Sequence, residues 1–265
     1  MLSRGLKMKI AIMGTGHMGG WFVQTLREEH ELAIYDTNFE KMERIKGATK
    51  LENISDLQSF GPALLLNAVT LGNTIAAFKA ALPYLPDSCL IADVASIKSH
   101  LSDYYVQIPF RFVSVHPMFG PTFADMESPE QENAVIITES DPQGAEFFRN
   151  FFTSLGLRVF GYSFGEHDKM MSYSLTLPFV SSLIFAACAD IKAVPGTTFK
   201  KHMNIAKSLL AEDNNLLTEI LFNSFSLHEV ETITARLEFL KHIIKQKDHE
   251  EAEEFFDRLR RNINR

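Results

Sequence analysis

Cysteine is scarce in this chain: there are two in 265 residues, Cys89 and Cys188, far apart and each inside an apolar run. That excludes a disulfide framework and a cysteine-rich metal site, and both side chains are expected to pack in the interior. Basic charge is short as well. Lys and Arg number 26 against 33 Asp and Glu, for a formal charge of -7, so there is no basic surplus to neutralise a phosphate backbone and nucleic acid is not an expected partner. Long hydrophobic runs are missing too. The most apolar stretch, Thr176 to Ala189, has roughly 14 residues where a bilayer span needs roughly 20. It is expected to be a buried helix, and no membrane partner is expected. The opening MLSRGLKMKI leads directly into a strand pattern, with no separate apolar stretch and small-residue cleavage site, which suits a cytoplasmic protein. What remains is ordinary globular composition, 46% hydrophobic and 22% charged, and a small-molecule partner by default.

Through residue 162, short apolar runs alternate with helical patterns, the signature of βαβ units and a Rossmann-type parallel sheet. Strands are expected at Ile10–Met13, Leu32–Tyr35, Ala63–Val69, Cys89–Val94, Phe112–Val115, Asn133–Thr138 and Leu157–Phe160. Helices are expected at Met18–Glu29, Thr74–Leu85 and Pro142–Leu155. Beyond Gly165 the period turns helical: His167–Ala189, Phe199–Leu210, Asn214–Asn223, Leu227–Gln246 and Asp248–Asn264, with Pro195-Gly196 as a loop. The fold class is therefore α/β, with a Rossmann-type domain at 1–162 followed by an all-helical C-terminal domain at 163–265.

Between the first strand and first helix stands Gly14-Thr15-Gly16-His17-Met18-Gly19. The first glycine permits a tight turn, the second lets backbone approach a pyrophosphate, and the third lets helix and strand pack closely. The amides at the helix start, including those of His17 and Met18, attract phosphate. Asp36 closes the second strand about twenty residues on, where an acidic side chain hydrogen-bonds the ribose hydroxyls and repels a ribose phosphate. The cofactor expected is NAD rather than NADP.

Three further polar segments fall at strand ends, where open α/β sheets bind ligands. They are Asn67 to Thr70, Asp93 to Lys98, and Ser114 to Gly120. Thr70 is assigned to the cofactor. His116 titrates near neutrality and is the candidate general base. Ser96 would orient a substrate hydroxyl or the imidazole, and Lys98 would steady its loop or meet an anionic group. His167 and Asp168 open the long helix, where Asp168 would serve its dipole and His167 is assigned to the substrate. The remaining histidines show no ligand spacing, and no metal is expected.

The glycine turn with Asp36, the D-V-x-S-x-K stretch ending in Ser96 and Lys98, the H-P-M-F-G loop at His116 and the segment Glu166-His167-Asp168 together resemble the prephenate and arogenate dehydrogenase family over nearly the whole chain. The resemblance implies NAD-dependent oxidative decarboxylation of prephenate in tyrosine biosynthesis, with His116 as the catalytic histidine and Ser96 as the hydroxyl-binding serine. It also implies a homodimer formed through the helical domain. The chain departs from the family at two places. Leu177-Pro178 is flanked by Thr176 and Phe179 where many members have histidines, and Phe199-Lys200-Lys201 stands where members carry a carboxylate-gripping arginine. Lys200 is the substitute there, keeping the charge without the bidentate geometry. Arogenate dehydrogenase, another NAD-linked hydroxyacid oxidoreductase, and a nucleotide-sensing dimer without turnover are the alternatives.

Overall fold

A computed structural model describes residues 7–98, 100–119, 132–190, 194–211 and 214–264. Its first compact unit is built on one sheet of eight strands: β1 (Lys9–Met13), β2 (Glu31–Tyr35), β3 (Thr49–Lys50), β4 (Leu64–Asn67), β5 (Leu90–Asp93), β6 (Phe112–Pro117), β7 (Asn133–Ile137) and β8 (Arg158–Tyr162). The spatial order is β3-β2-β1-β4-β5-β6-β7-β8. The central strands are continuous apolar runs because both faces are covered. Ile10, Ile12, Leu64, Leu66 and Val113 face one way, onto α1 (His17–Leu26) with Trp21 and Phe22, and onto α6 (Pro142–Ser154) with Phe148 and Phe152. Ala11, Met13, Leu65 and Ile91 face the other, onto Phe78 of α4 (Thr74–Ala81) and onto Tyr104 and Tyr105 of α5 (Leu101–Tyr105). Two short helices, α2 (Phe39–Glu43) and α3 (Leu57–Phe60), fill the connections.

The sheet departs from the expected parallel pattern at one edge. Strands β1 to β6 pair in parallel, but β7 runs antiparallel to β6, and β8 pairs in parallel with β7. With α6 between them, β7 and β8 form a βαβ unit of reversed direction. A strand buried on both faces reads alike in either direction, so the apolar run at 133–137 carried no sign of the reversal.

This unit runs past residue 162 to Met171. The extension is α7 (Phe164–Met171), which buries Phe164, His167, Asp168 and Met171, with Phe164 in the same cluster as Tyr104 and Tyr105. The backbone stays helical through a π turn at Ser172–Thr176 into α8 (Leu177–Cys188), so the helix spans 25 residues, Phe164–Cys188. By length and composition alone it is sufficient to cross a membrane, which corrects the expectation drawn from the shorter run at 176–189. A second correction concerns burial. Within α8 only Phe179 and Val180 are buried, and Cys188 is exposed, whereas Cys89 is buried as expected.

The second unit begins at Ser172 and contains α8, α9 (Thr197–Leu210), α11 (Ser226–Gln246) and α12 (His249–Ile263), while α10 (Asn214–Leu221) divides after Glu219, its earlier residues belonging to the first unit. Thr176 serves packing here. Ser226 Oγ donates to the Ile220 carbonyl at 2.9 Å and so accepts from Thr176 Oγ1 at 2.8 Å. Phe185 of α8 meets Phe199 of α9 with ring centroids 5.2 Å apart. At α12, Asp248 caps the first turn, acidic Glu250 and Glu251 follow, and Arg260 and Arg261 close the last turn, in keeping with the helix dipole.

Candidate functional site

The glycine turn follows β1. Gly14 has φ +85°, a left-handed conformation, and its amide donates to the Tyr35 carbonyl at 2.9 Å, which ties the turn to the end of β2. A Cβ on Gly14 would sit 2.6 Å from the Ala68 oxygen, and one on Gly19 would sit 1.9 Å from the Gly14 oxygen. The fold therefore demands both glycines. Gly16 is different: a Cβ there would meet nothing within 4 Å. The space it leaves open lies at the start of α1, whose N-cap, Gly16 itself, offers no side-chain hydrogen bond. Exposed His17 and half-buried Met18 follow in the first turn. An open approach to the start of a helix, on the positive end of its dipole, fits a phosphate-bearing ligand.

Asp36 lies just beyond β2 and is partly exposed. Its Oδ2 accepts from the Thr15 amide at 2.7 Å and the Thr15 hydroxyl at 2.9 Å, and its Oδ1 accepts from the Asn38 amide at 2.8 Å. Partial burial pushes its pKa up, but the bonds from Asn38 and Thr15, with Lys41 nearby, outweigh that and hold the carboxyl below its usual range. An ionised carboxylate has about four acceptor sites, so room remains for a ribose hydroxyl. Thr70 is exposed past β4, where its hydroxyl accepts from Asn73 Nδ2 at 2.8 Å. Buried Asn67 shapes the same loop by donating to the Thr74 carbonyl at 2.9 Å.

Next along the sheet, β5 and β6 pair with Asp93 opposite Ser114. Ser96 and His116 thus leave the carboxyl ends of neighbouring strands. Ser96 is half-buried in its loop, and His116 has 7% of its surface exposed. Gly120, the last residue of the His116 loop, lies outside the described residues. His116 Nδ1 is 3.0 Å from Nε2 of His167, whose Nδ1 is 2.9 Å from Asp168 Oδ1. The same Asp168 oxygen accepts from the Lys98 amide at 2.8 Å. Burial, then the neighbouring His167 and Lys98, holds the His116 pKa well below its ordinary value; His167 is lowered as well, chiefly by burial and against the pull of Asp168. Both imidazoles are neutral near pH 7.

Beneath these rings Lys98 is 0% exposed. Its Nζ donates to Asp93 Oδ1 and, at 2.8 Å, to the Val115 carbonyl. Asp93 also accepts from Tyr105 Oη at 2.7 Å and from the Ala95 amide at 3.0 Å. Burial lowers the Lys98 pKa, with Asp93 opposing. Two expectations are thereby corrected. Lys98 does not present its ammonium to an anionic ligand; its donors are engaged inside the protein, where it braces the 93–98 loop against β6. His167 is not a substrate contact, because it is fully buried with both ring nitrogens occupied. Asp168 likewise sits a full turn into α7 rather than at its cap. Lys200, the third expected substrate contact, is exposed on α9 in the second unit. Sequence reasoning singled out the stretch that opens with Asp93 without giving Asp93 a role, and it missed Tyr105. The one available signal was an aspartate closing the otherwise apolar β5.

Residues 23–160, over half of the chain, match the family described as prephenate dehydrogenase, nucleotide-binding domain. That stretch begins after the glycine turn and takes in Asp36, Ser96, Lys98 and His116. A probable arogenate/prephenate dehydrogenase of Methanocaldococcus jannaschii is 24% identical over 90% of this chain and 57% of its own length. The T-protein of Haemophilus influenzae is 24% identical over 85% of this chain and 59% of its own length. The chain thus spans less than two thirds of these curated relatives. Among solved structures, prephenate dehydrogenase from A. aeolicus in complex with hydroxyphenyl propionate and NAD+ has a TM-score of 0.83, with 20% identity over 98% of both chains. Synechocystis arogenate dehydrogenase has a TM-score of 0.74, with 18% identity over 97% of this chain and 99% of its own. These likenesses establish the fold.

Proposed function

This chain belongs to the prephenate/arogenate dehydrogenase family, and on that premise we propose that it is an NAD-dependent prephenate dehydrogenase, converting prephenate to 4-hydroxyphenylpyruvate with loss of carbon dioxide. The observation that carries the reading is a buried histidine, His116, at a strand end beside the loop of Ser96 and along the same sheet edge as the glycine turn. Gly14, Gly16 and Gly19 with the amides of His17 and Met18 hold the pyrophosphate, Asp36 takes the adenosine ribose, and Thr70 borders the cofactor. When bound, NAD supplies the hydride acceptor. His116 takes the proton of the ring hydroxyl, and Ser96 orients that hydroxyl. Aromatisation drives the reaction, so alignment is the main task left to the protein. Lys200 is the candidate grip on a substrate carboxylate, supported by its exposed ammonium.

The molecule is a cytoplasmic homodimer in this reading, with the exposed apolar side chains of α8 and α11 covered by a second copy rather than by lipid. Steady-state assays with prephenate and arogenate, each with NAD and NADP, test the proposal. NAD reduction with prephenate is expected. Turnover of arogenate alone would reassign the substrate, and NAD binding without any turnover would make the protein a nucleotide sensor. Asp36→Asn should lower the preference for NAD over NADP by about tenfold, the size of one hydrogen bond to a charged group.

A further inference from the structure

We propose that Asp168 and His167 are positioning residues that fix the tautomer of His116, keeping its proton on Nδ1 and leaving Nε2 as the atom that accepts the substrate proton. This deepens the dehydrogenase reading and rests on it for the substrate. The argument starts at a group with no choice. The Lys98 backbone N–H can only donate, and it donates to Asp168 Oδ1. That oxygen is therefore an acceptor, and an ionised carboxylate has no proton to return, so His167 Nδ1, 2.9 Å away, is the donor to it. A neutral imidazole carries one N–H. His167 Nε2 is then a lone pair, and His116 Nδ1, 3.0 Å from it, must donate. His116 is left with a bare Nε2.

The opposite assignment sets His167 Nδ1 as a lone pair against the Asp168 carboxylate and brings two N–H groups together between the rings. Both contacts are repulsive. Burial removes the water that would relieve them, since His167 and Asp168 are 0% and 3% exposed. The protonic balance of the reaction follows from the same arrangement. The substrate O–H bond breaks and its proton forms an N–H bond at His116 Nε2. With NAD bound as the hydride acceptor, the oxygen pair would close a carbonyl as the C–H pair left as hydride. Cleavage of the bond to the carboxylate then sends a pair into the ring, the carbonyl pair returns to oxygen, and His116 hands its proton back to form the phenol. While His116 holds that proton, the Asp168 carboxylate stabilises the imidazolium through His167.

The experiment is long-range proton–nitrogen NMR on 15N-histidine-labelled protein, with His116 assigned from the signals missing in His116→Asn, alongside kinetics of His167→Ala and His167→Gln. The expected result is the Nδ1–H form for both rings in the wild type. His167→Gln, whose carboxamide can accept from His116 and donate to Asp168, should keep kcat within about tenfold. His167→Ala should lose on the order of a hundred-fold or more in kcat with KM little changed. An Nε2–H form of His116 in the wild type overturns the proposal, and so do equal losses in the two variants. Should the wild type turn over neither ring acid, the functional reading fails, and the NMR arm still decides the tautomer.

Discussion

The two units of this chain treat polarity in opposite ways. The sheet unit closes an apolar cluster on each face and still buries Asp93, Lys98, His116, His167 and Asp168, each with a partner. The helical unit buries little beyond Phe179, Val180, Ala206, Ile243 and Phe255, while Ile184, Phe222, Leu237 and Ile244 are 40%, 80%, 48% and 67% exposed in the single chain. Buried charge is tolerated only where every donor and acceptor is answered. A set of groups held to that standard, apart from Nε2 of His116, is therefore where the chemistry is sought. Exposed apolar side chains in such number are what the proposed dimer would cover.

Four experiments would break or sharpen that contrast. The largest effect is expected from Lys98→Met, which leaves the Asp93 carboxylate buried without its cation. Removing one partner of a buried pair costs about 3–5 kcal/mol, and urea unfolding should show it. Lys200→Ala, the matching change in the helical unit, should stay within about 0.5 kcal/mol; comparable losses for both would erase the distinction. Next is His116→Asn. Turnover should fall about 10²–10⁴-fold, the usual worth of a general base, while fluorescence titration shows NAD binding unchanged. Full turnover would move the chemistry elsewhere.

Third, Ile184→Glu places a charge on the exposed face of α8 and should shift a dimer toward monomer in sedimentation. An unaltered oligomer would remove α8 from the interface. The smallest effect concerns acid stability. His116, facing His167 and Lys98, and His167, facing Asp168, have folded pKa values below the unfolded value of about 6.5. Between those limits the unfolded chain binds more protons, so their contribution to stability is intact above about 6.5 and is lost as pH falls through the folded values. Melting temperatures measured from pH 7 down to 5 should drop less in His116→Gln than in the wild type. An equal drop would mean that His116 titrates alike in both states.

The sheet was largely legible because its central strands are apolar runs separated by helical periods, and the glycine turn because each glycine answers a local demand. Ends shifted: β1 starts at Lys9 instead of Ile10, and α1 stops at Leu26 instead of Glu29. The short helices α2, α3 and α5 and the strand β3 escaped because a helix of four or five residues makes little more than one turn and a two-residue strand shows no alternation. The buried cluster was legible in its members but not in its wiring. His116, His167 and Lys98 were each singled out, yet Lys98 and Asp168 are joined across 70 residues of sequence. Only the packing of α7 against the sheet unit turned two expected substrate contacts into supports.

The bond between Asp36 and Thr15 bears on anyone wishing to retool the proposed cofactor site for a different electron carrier. Thr15 lies inside the glycine turn, and its amide and hydroxyl both end on the Asp36 carboxylate. In the proposed reading, cofactor selectivity and loop architecture would thus rest on one side chain. A swap to serine or arginine at Asp36, aimed at admitting a phosphorylated ribose, would also unfasten the turn. Laboratory evolution toward NADP should accordingly arrive at paired changes, one at Asp36 and a compensating one at Thr15, before either is useful alone.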